Sequence, residues 1–282
     1  MKKIFCTIDL EDFSYDYPRT LGLQLKKKIN VSALLKNYDQ INQLCKKNSV
    51  KITFFCTGIL GKLFPDIIKQ ISSDGHEIAS QYFYHDYANK DDLKTFERRI
   101  YDSINILSNY SKNKICGFRA PYFSLNCKDI KHYQVLEKYF EYDSSLLVDV
   151  NNYRNKIETL KSKLLGKLRI YPVLYYSPFP KVKLRLGGTY FKILPLKILN
   201  NLSNKILNYD NCIIYLHPYD YDTKFSYINK YESFNELSHL KQMYYFSKQF
   251  QWLYFGNNNV LNKLASLMKL YPFENLLKDL RN

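Results

Sequence analysis

The chain has 282 residues, 46% of them apolar and 16% aromatic, with 42 Lys and Arg against 26 Asp and Glu for a formal net charge of +16. This composition excludes a disordered or fibrous chain, and no run reaches the roughly 18 apolar residues of a membrane span. The lysines are spread over nearly every expected helix, so the charge describes a basic, solvated surface that raises the local concentration of anions. No nucleic-acid-binding motif accompanies it.

The chain opens on Ile4-Phe5-Cys6-Thr7-Ile8, a β-rich run expected as a strand over residues 2–8. Lys2-Lys3 precede an apolar stretch too short for a secretory signal, which predicts a cytoplasmic protein whose first strand lies at its N-terminus. Asp9, Glu11 and Asp12 follow at once, three carboxylates in four positions. Carboxylates crowded at a buried strand end repel one another and lose hydration, so they point to a cation or a proton-transfer task.

Further along, Leu34, Leu35, Tyr38, Ile41, Leu44 and Cys45 fall on one helical face. Lys51 to Cys56 reads as a buried strand. A helix begins at Pro65, carries Ile67, Ile68 and Ile71 inward, and closes at Gly75. Glu77 to Ser80 is a short strand, Leu93 to Leu107 an amphipathic helix, Ile115 to Arg119 a strand, and the segment around Val135 to Tyr139 a helix. Residues 147–190 are less regular. Cys212 to Leu216 is a continuous apolar strand, and residues 221–282 read as added helices packed on the barrel wall. The alternation predicts a parallel sheet closed by outer helices, with chemistry at the C-terminal ends of the strands. Six scattered cysteines without a CxxC pair read as small core residues, not as a disulfide framework.

Polar clusters recur just after the predicted strands: Gly75 to Ser80 running into Gln81 and His85, then Gly117-Phe118-Arg119-Ala120-Pro121-Tyr122, then Tyr142-Asp143-Ser144-Ser145, Gly187-Gly188-Thr189, and Tyr215-Leu216-His217-Pro218. Singly, each has a plain structural reading: a hydrogen-bonded histidine, a surface arginine, a turn-forming proline. His76, His132 and His239 keep that reading. In order, the clusters form a pattern.

That pattern resembles the polysaccharide deacetylases (NodB-homology, carbohydrate esterase family 4), and in particular a bacterial branch found with surface-polysaccharide genes. The resemblance runs over residues 1–220, through Ile8-Asp9-Leu10-Glu11-Asp12, GHEIAS at 75–80, the Arg119-Ala120-Pro121 motif, Tyr142 to Ser145, Gly187-Gly188 to Pro195, and Tyr215 to Pro218. It implies a distorted (β/α) barrel over 1–220, with 221–282 as a helical extension. It also implies hydrolysis of an N-acetyl or other N-acyl group from an amino sugar, assisted by a divalent metal of the zinc type.

By that resemblance Asp9 is the general base, Arg119 orients it, and His217 is the general acid with Asp143 setting its pKa. Asp12, or Glu11 in its place, His85 and Gln81 are the metal donors. The Tyr122 N–H helps to hold the oxyanion, and Pro121 and Leu216 lie on the substrate side. The family's metal motif has histidine where this chain has Gln81, a neutral and weaker ligand. Three outcomes are therefore open: a metal-assisted hydrolase, a metal-free amide hydrolase, or a sugar-binding homologue without catalysis. The expected substrate is a nucleotide-linked, lipid-linked or oligosaccharide amino sugar.

Overall fold

All seven residues of the opening run are buried, which makes it a central strand. A computed structural model describes residues 2–24 and 28–281. Its strands are β1 (Ile4–Leu10), β2 (Thr53–Cys56), β3 (Glu77–Ser80), β4 (Gly117–Phe118), β5 (Tyr142–Asp143), β6 (Leu147–Asp149), β7 (Arg169–Ile170), β8 (Val173–Tyr176), β9 (Leu184–Arg185), β10 (Cys212–Leu216) and β11 (Phe273–Glu274). The helices are α1 (Phe13–Thr20), α2 (Val31–Lys47), α3 (Gly58–Leu63), α4 (Pro65–Ser73), α5 (Leu93–Ser108), α6 (Ile130–Tyr139), α7 (Tyr153–Lys161), α8 (Gly188–Ile193), α9 (Leu196–Leu207), α10 (His239–Leu253), α11 (Val260–Leu270) and α12 (Leu276–Arg281).

The main sheet runs β10-β1-β2-β3-β4-β5-β7, every neighbour parallel. Parallel neighbours need crossovers, and the helices supply them on the outer side. The sheet curls into a half-barrel, the distorted (β/α) barrel that the resemblance implies. A smaller sheet, β6-β8-β9, pairs β6 parallel and β9 antiparallel to β8.

Side chains alternate between the two faces of a strand. Ile4, Cys6, Ile8 and Leu10 join the large apolar layer beneath the helices, with Leu34, Ile41 and Ile100. Phe5 lies inside the curve with Phe55, Ala79, Tyr142, Ile213 and Tyr215. Thr7 and Asp9 continue that inner row toward the top of the barrel. This parity decides which polar residues meet.

The outer edge of β10 is covered by the segment after β9. Tyr215 N donates to Leu186 O at 3.1 Å, and Gly187 bridges to Tyr215. A Cβ on Gly187 would lie 2.2 Å from the Tyr215 ring, so only glycine allows this approach.

Two stretches differ from the sequence expectation. Residues 147–190 contain β6, α7, β7, β8 and β9, strands of two to four residues, too short to carry a readable period. The segment beyond residue 220, expected as helices alone, also contributes β11, parallel to the start of β1, with Ile4 N donating to Pro272 O at 3.0 Å. Leu276 and Leu277 of α12 then fill the lower end of the barrel interior.

Candidate active site

Asp9 ends the inner row of β1 and is 3% exposed. Arg119, fully buried on the inner face after β4, donates from Nη1 to Asp9 Oδ1 at 2.6 Å and to Thr7 Oγ1 at 2.8 Å. Its other nitrogens reach Ser144 Oγ at 2.9 Å and Ser144 O at 3.3 Å, and its guanidinium lies 4.0 Å from the Phe55 ring centroid. A bidentate-capable fork held at every corner fixes Asp9 in one orientation. Asp9 Oδ2 is left facing His217 Nε2, 4.0 Å away.

Two residues past Asp9 on the same face, Glu11 is the carboxylate that meets the loop after β3. Its Oε2 is ion-paired with His85 Nε2 and accepts from Gln81 Nε2 at 3.3 Å, while Oε1 accepts from Tyr219 OH at 2.8 Å. Asp12, the preferred ligand in the sequence reading, falls on the opposite parity. It caps α1, taking Ser14 N at 2.8 Å and Ser14 Oγ at 2.7 Å on Oδ1, and Asn30 N at 2.6 Å on Oδ2. Both of its oxygens are thus spent on local structure, and the carboxylate beside Gln81 and His85 is Glu11.

His217 follows β10 on the inner face. Its Nδ1 and its backbone N both bond Asp220 Oδ2, at 2.8 and 2.9 Å, and its Nε2 points to Glu11 Oε1 at 3.6 Å. The Tyr219 ring stacks on the imidazole at 4.6 Å. Asp220 is held in turn by the buried Lys192, 3.5 Å from Oδ1, which also donates to Trp252 O. Asp143 does not take this place. On β5 it pairs in register with Phe118, which packs in the outer layer, and it accepts from Ser145 N at 2.9 Å and Ser145 Oγ at 2.5 Å. The partner of His217 is Asp220, three residues on; the sequence reading stopped at Pro218.

The charges at the site support one another. Burial by itself would raise Glu11, but the neighbouring His85 and His217 charges and the hydrogen bonds from His85 and Tyr219 hold it down at about 2. For His217, burial opposes the charge, and the Asp220, Glu11 and Asp9 carboxylates outweigh it, pushing it up to about 9. His217 is therefore an imidazolium at neutral pH, with its proton on the side of the cavity.

The cavity, about 500 Å³, opens over these groups. Tyr122 lines it; its ring lies 4.3 Å from that of His85 and stacks on Tyr87 at 4.7 Å. Tyr122 and Phe123 sit at φ 57° and 51° in the turn after Pro121. The turn's hydrogen bonds run from Phe123 N to Ala120 O and from Ser124 N to Pro121 O, 3.1 Å each, and leave the Tyr122 N–H outside them. Pro121 is buried and shapes this turn. Leu216, expected on the substrate side, belongs to the outer apolar layer, because Tyr215 and His217 take the inner face.

The donors brought together for the metal that the resemblance implies are Glu11, Gln81 and His85. Gln81 Oε1 is buried with no hydrogen-bond partner, an acceptor that a cation would satisfy. Among the described residues no three His, Cys, Asp or Glu are grouped so that they alone could hold a metal ion. The set can hold a divalent ion through one carboxylate, one imidazole and one neutral amide oxygen, a weaker site than one with two imidazoles.

The fold is a distorted (β/α) barrel of the NodB-homology type, with Asp9 and His217 facing each other at the top of its sheet. Residues 32–138, a stretch that includes Gln81, His85 and Arg119, match the family model described as polysaccharide deacetylase. No curated protein matches it. Among solved structures, a proposed polysaccharide deacetylase from Mycobacterium smegmatis is 16% identical, with 96% of this chain and 93% of that one covered, at a TM-score of 0.51. A peptidoglycan N-acetylglucosamine deacetylase is 14% identical over 98% of this chain and 86% of its own, with a TM-score of 0.48. A carbohydrate esterase family 4 pseudoenzyme from Bacillus anthracis is 13% identical over 99% and 65%, with a TM-score of 0.47. At 16% identity the Mycobacterium smegmatis structure speaks for the fold alone.

Proposed function

We propose that the chain hydrolyses the N-acetyl, or another N-acyl, group of an amino sugar in a precursor of a surface glycan. The observation that carries this reading is the pairing of Asp9 with His217. A carboxylate fixed by Arg119 presents its remaining oxygen 4.0 Å from an imidazolium, on the floor of a cavity of about 500 Å³.

An amide carbon is a poor electrophile, and the amine leaves only if it is protonated. Asp9 Oδ2 takes a proton from the water that adds to the acyl carbon. In this reading the Tyr122 N–H steadies the negative charge on the acyl oxygen. His217 Nε2 then gives its proton to the nitrogen as the C–N bond breaks, so a carboxylic acid and a free amine are released and Asp9 and His217 have exchanged one proton's worth of charge. Glu11, Gln81 and His85 would hold a divalent ion of the zinc class, which supplies Lewis-acid polarisation of the acyl oxygen. The free thiols of Cys6, Cys45, Cys56, Cys116, Cys127 and Cys212 support a reducing, cytoplasmic location.

The test is acetate release from a panel of N-acetylated sugars. Asp9→Asn is expected to lose ~10²–10⁴-fold of the rate, and an unchanged rate would remove Asp9 as base. Metal content of protein purified without chelator tests the donor set: metal in the wild type that disappears in His85→Ala supports the metal-assisted form. No metal in the wild type, with binding gained in Gln81→His, supports the metal-free one. Gln81 also favours a second reading, sugar binding without turnover, which predicts ligand binding and no acetate from any sugar.

A further inference from the structure

The cavity holds two cations that the acid–base chemistry does not use. Arg185, at the end of β9, and Lys248, on α10, both line it. Neither makes an ion pair or hydrogen bond among the described residues, and Arg185 Nε is buried without a partner. The Arg185 guanidinium lies 5.9 Å from the centre of the Tyr215 ring and 5.7 Å from that of Tyr190.

The carboxylates of the same cavity are committed elsewhere. Asp9 belongs to Arg119, Glu11 to His85, and Asp220 to His217 and Lys192, while burial pushes the Asp16 carboxyl up to about 8, against the pull of His85 and Arg19, and so leaves it without charge at pH 7. A half-buried guanidinium without an anion loses hydration and gains nothing in return, so its natural counterpart is a charge that arrives with the ligand.

Position gives the rest. Arg185 and His217 share one neighbour, the Tyr215 ring, whose centre lies 5.9 Å from the guanidinium and 5.9 Å from the imidazole. The guanidinium and the imidazole are therefore no more than twice 5.9 Å apart, a span that one sugar and its phosphate can bridge. Gly187 makes this possible, since its missing side chain lets the Tyr215 ring lie against the backbone that carries Arg185.

Building on the deacetylase reading, we propose that Arg185 and Lys248 form an anion subsite and that the substrate is a phosphorylated N-acyl amino sugar, held by a sugar phosphate or diphosphate. Two unpaired cations on separate elements match a diphosphate better than a single carboxylate. The carrier beyond it, a nucleoside or a polyprenyl lipid, shares this chemistry.

Trp252 is the chain's only tryptophan and lines the same cavity, so its fluorescence reports occupancy. Titrations of the full chain with N-acetylglucosamine, its 1-phosphate, UDP-N-acetylglucosamine and detergent-solubilised polyprenyl-diphosphate N-acetylglucosamine give the affinities. The phosphorylated sugars are expected to bind ~10-fold or more tightly than the neutral sugar, as charge-assisted contacts of this kind require. Arg185→Met and Lys248→Met should each shrink that preference while leaving affinity for the neutral sugar unchanged, and Arg185→Lys should restore part of it. Tighter binding of the nucleotide form or of the lipid form identifies the carrier. Equal affinity for charged and neutral sugars in the wild type, or a preference that survives the double variant, overturns the subsite. Acetate release is scored separately on the neutral sugar, so loss of the deacetylase reading and loss of the anion subsite give different results.

Discussion

The interior of the barrel buries acids at both its ends, and the two ends treat them in opposite ways. At the lower end Glu77 accepts from Thr53 Oγ1 at 2.6 Å, Tyr142 OH at 2.7 Å and Leu277 N at 2.9 Å. Its donors are neutral, and burial raises its carboxyl. At the upper end Asp9 and Glu11 face Arg119, His85 and His217, while Gln81 Oε1 and His85 Nδ1 remain without partners beside a cavity. Burial of an acid is thus no mark of chemistry by itself. What separates the site from the plug is charge set against charge, with unfilled hydrogen-bonding capacity next to open space.

The largest effect expected from this contrast is at Arg119. Arg119→Met leaves Asp9 buried without its cation and frees the Thr7 and Ser144 oxygens, and removing one partner of such a pair costs ~3–5 kcal/mol. Denaturant unfolding should show a loss of that size together with loss of activity. Wild-type stability in this variant would mean that Asp9 is held by something other than the arginine. At the lower end, Glu77→Ala orphans three donors and should cost about 2–3 kcal/mol, raise hydrogen exchange over 276–281, and leave the rate per folded molecule within about twofold of wild type. A large drop in turnover there would break the division between plug and site.

A smaller effect separates Asp220 from Asp143. Asp220→Asn should lower kcat by ~10-fold or more, since the group that orients and charges the general acid is lost. Wild-type activity should fall as pH rises through about 9, where His217 gives up its proton, and Asp220→Asn should move that fall to lower pH. Asp143→Asn should leave the alkaline limb in place, because burial, which pushes Asp143 up to about 7, and its bonds to Ser145 tie it to the outer layer.

Much of this was legible in advance. Strands β3 and β10 lie where the apolar runs put them, at Glu77–Ser80 and Cys212–Leu216. The choice between Glu11 and Asp12 was legible too, but through parity: Phe5, Thr7, Asp9 and Glu11 share a face, and Asp12, followed by Ser14, has the look of a helix cap. Asp220 had a local signal in its spacing of three from His217, the separation that one turn needs to bring a side chain back to its neighbour's ring. Arg185 had none. Its place depends on β9 lying against β8 and on Gly187 meeting Tyr215, two long-range contacts made by strands too short to show a period. The same holds for β11, whose two residues belong to the sheet only because β1 offers them an edge.

The smallest effect is one that should move stability and leave catalysis alone. His76, which leads into β3 at the lower end, accepts from Ile52 N on Nδ1 at 3.2 Å and lies 3.1 Å from Asn42 Oδ1 on Nε2. The neutral ring satisfies both contacts; a proton on Nδ1 would face a donor. Burial first, and then the charges of Lys51 and Lys46, hold it down at about 4, against the pull of Asp74. The unfolded chain takes up this proton near pH 6.5 and the folded chain only near pH 4, so the contribution is complete above pH 6.5 and is lost as pH falls through that interval. Wild-type protein should lose roughly 1 kcal/mol between pH 7.5 and pH 6 from this group alone. His76→Gln, which can still accept from Ile52 and donate to Asn42, should show a correspondingly flatter profile in urea unfolding at the two pH values. An equal fall in both proteins would assign the acid sensitivity to other groups, whereas a flatter profile with unchanged turnover would show a lower-end titration acting on folding where the upper-end His217 acts on rate.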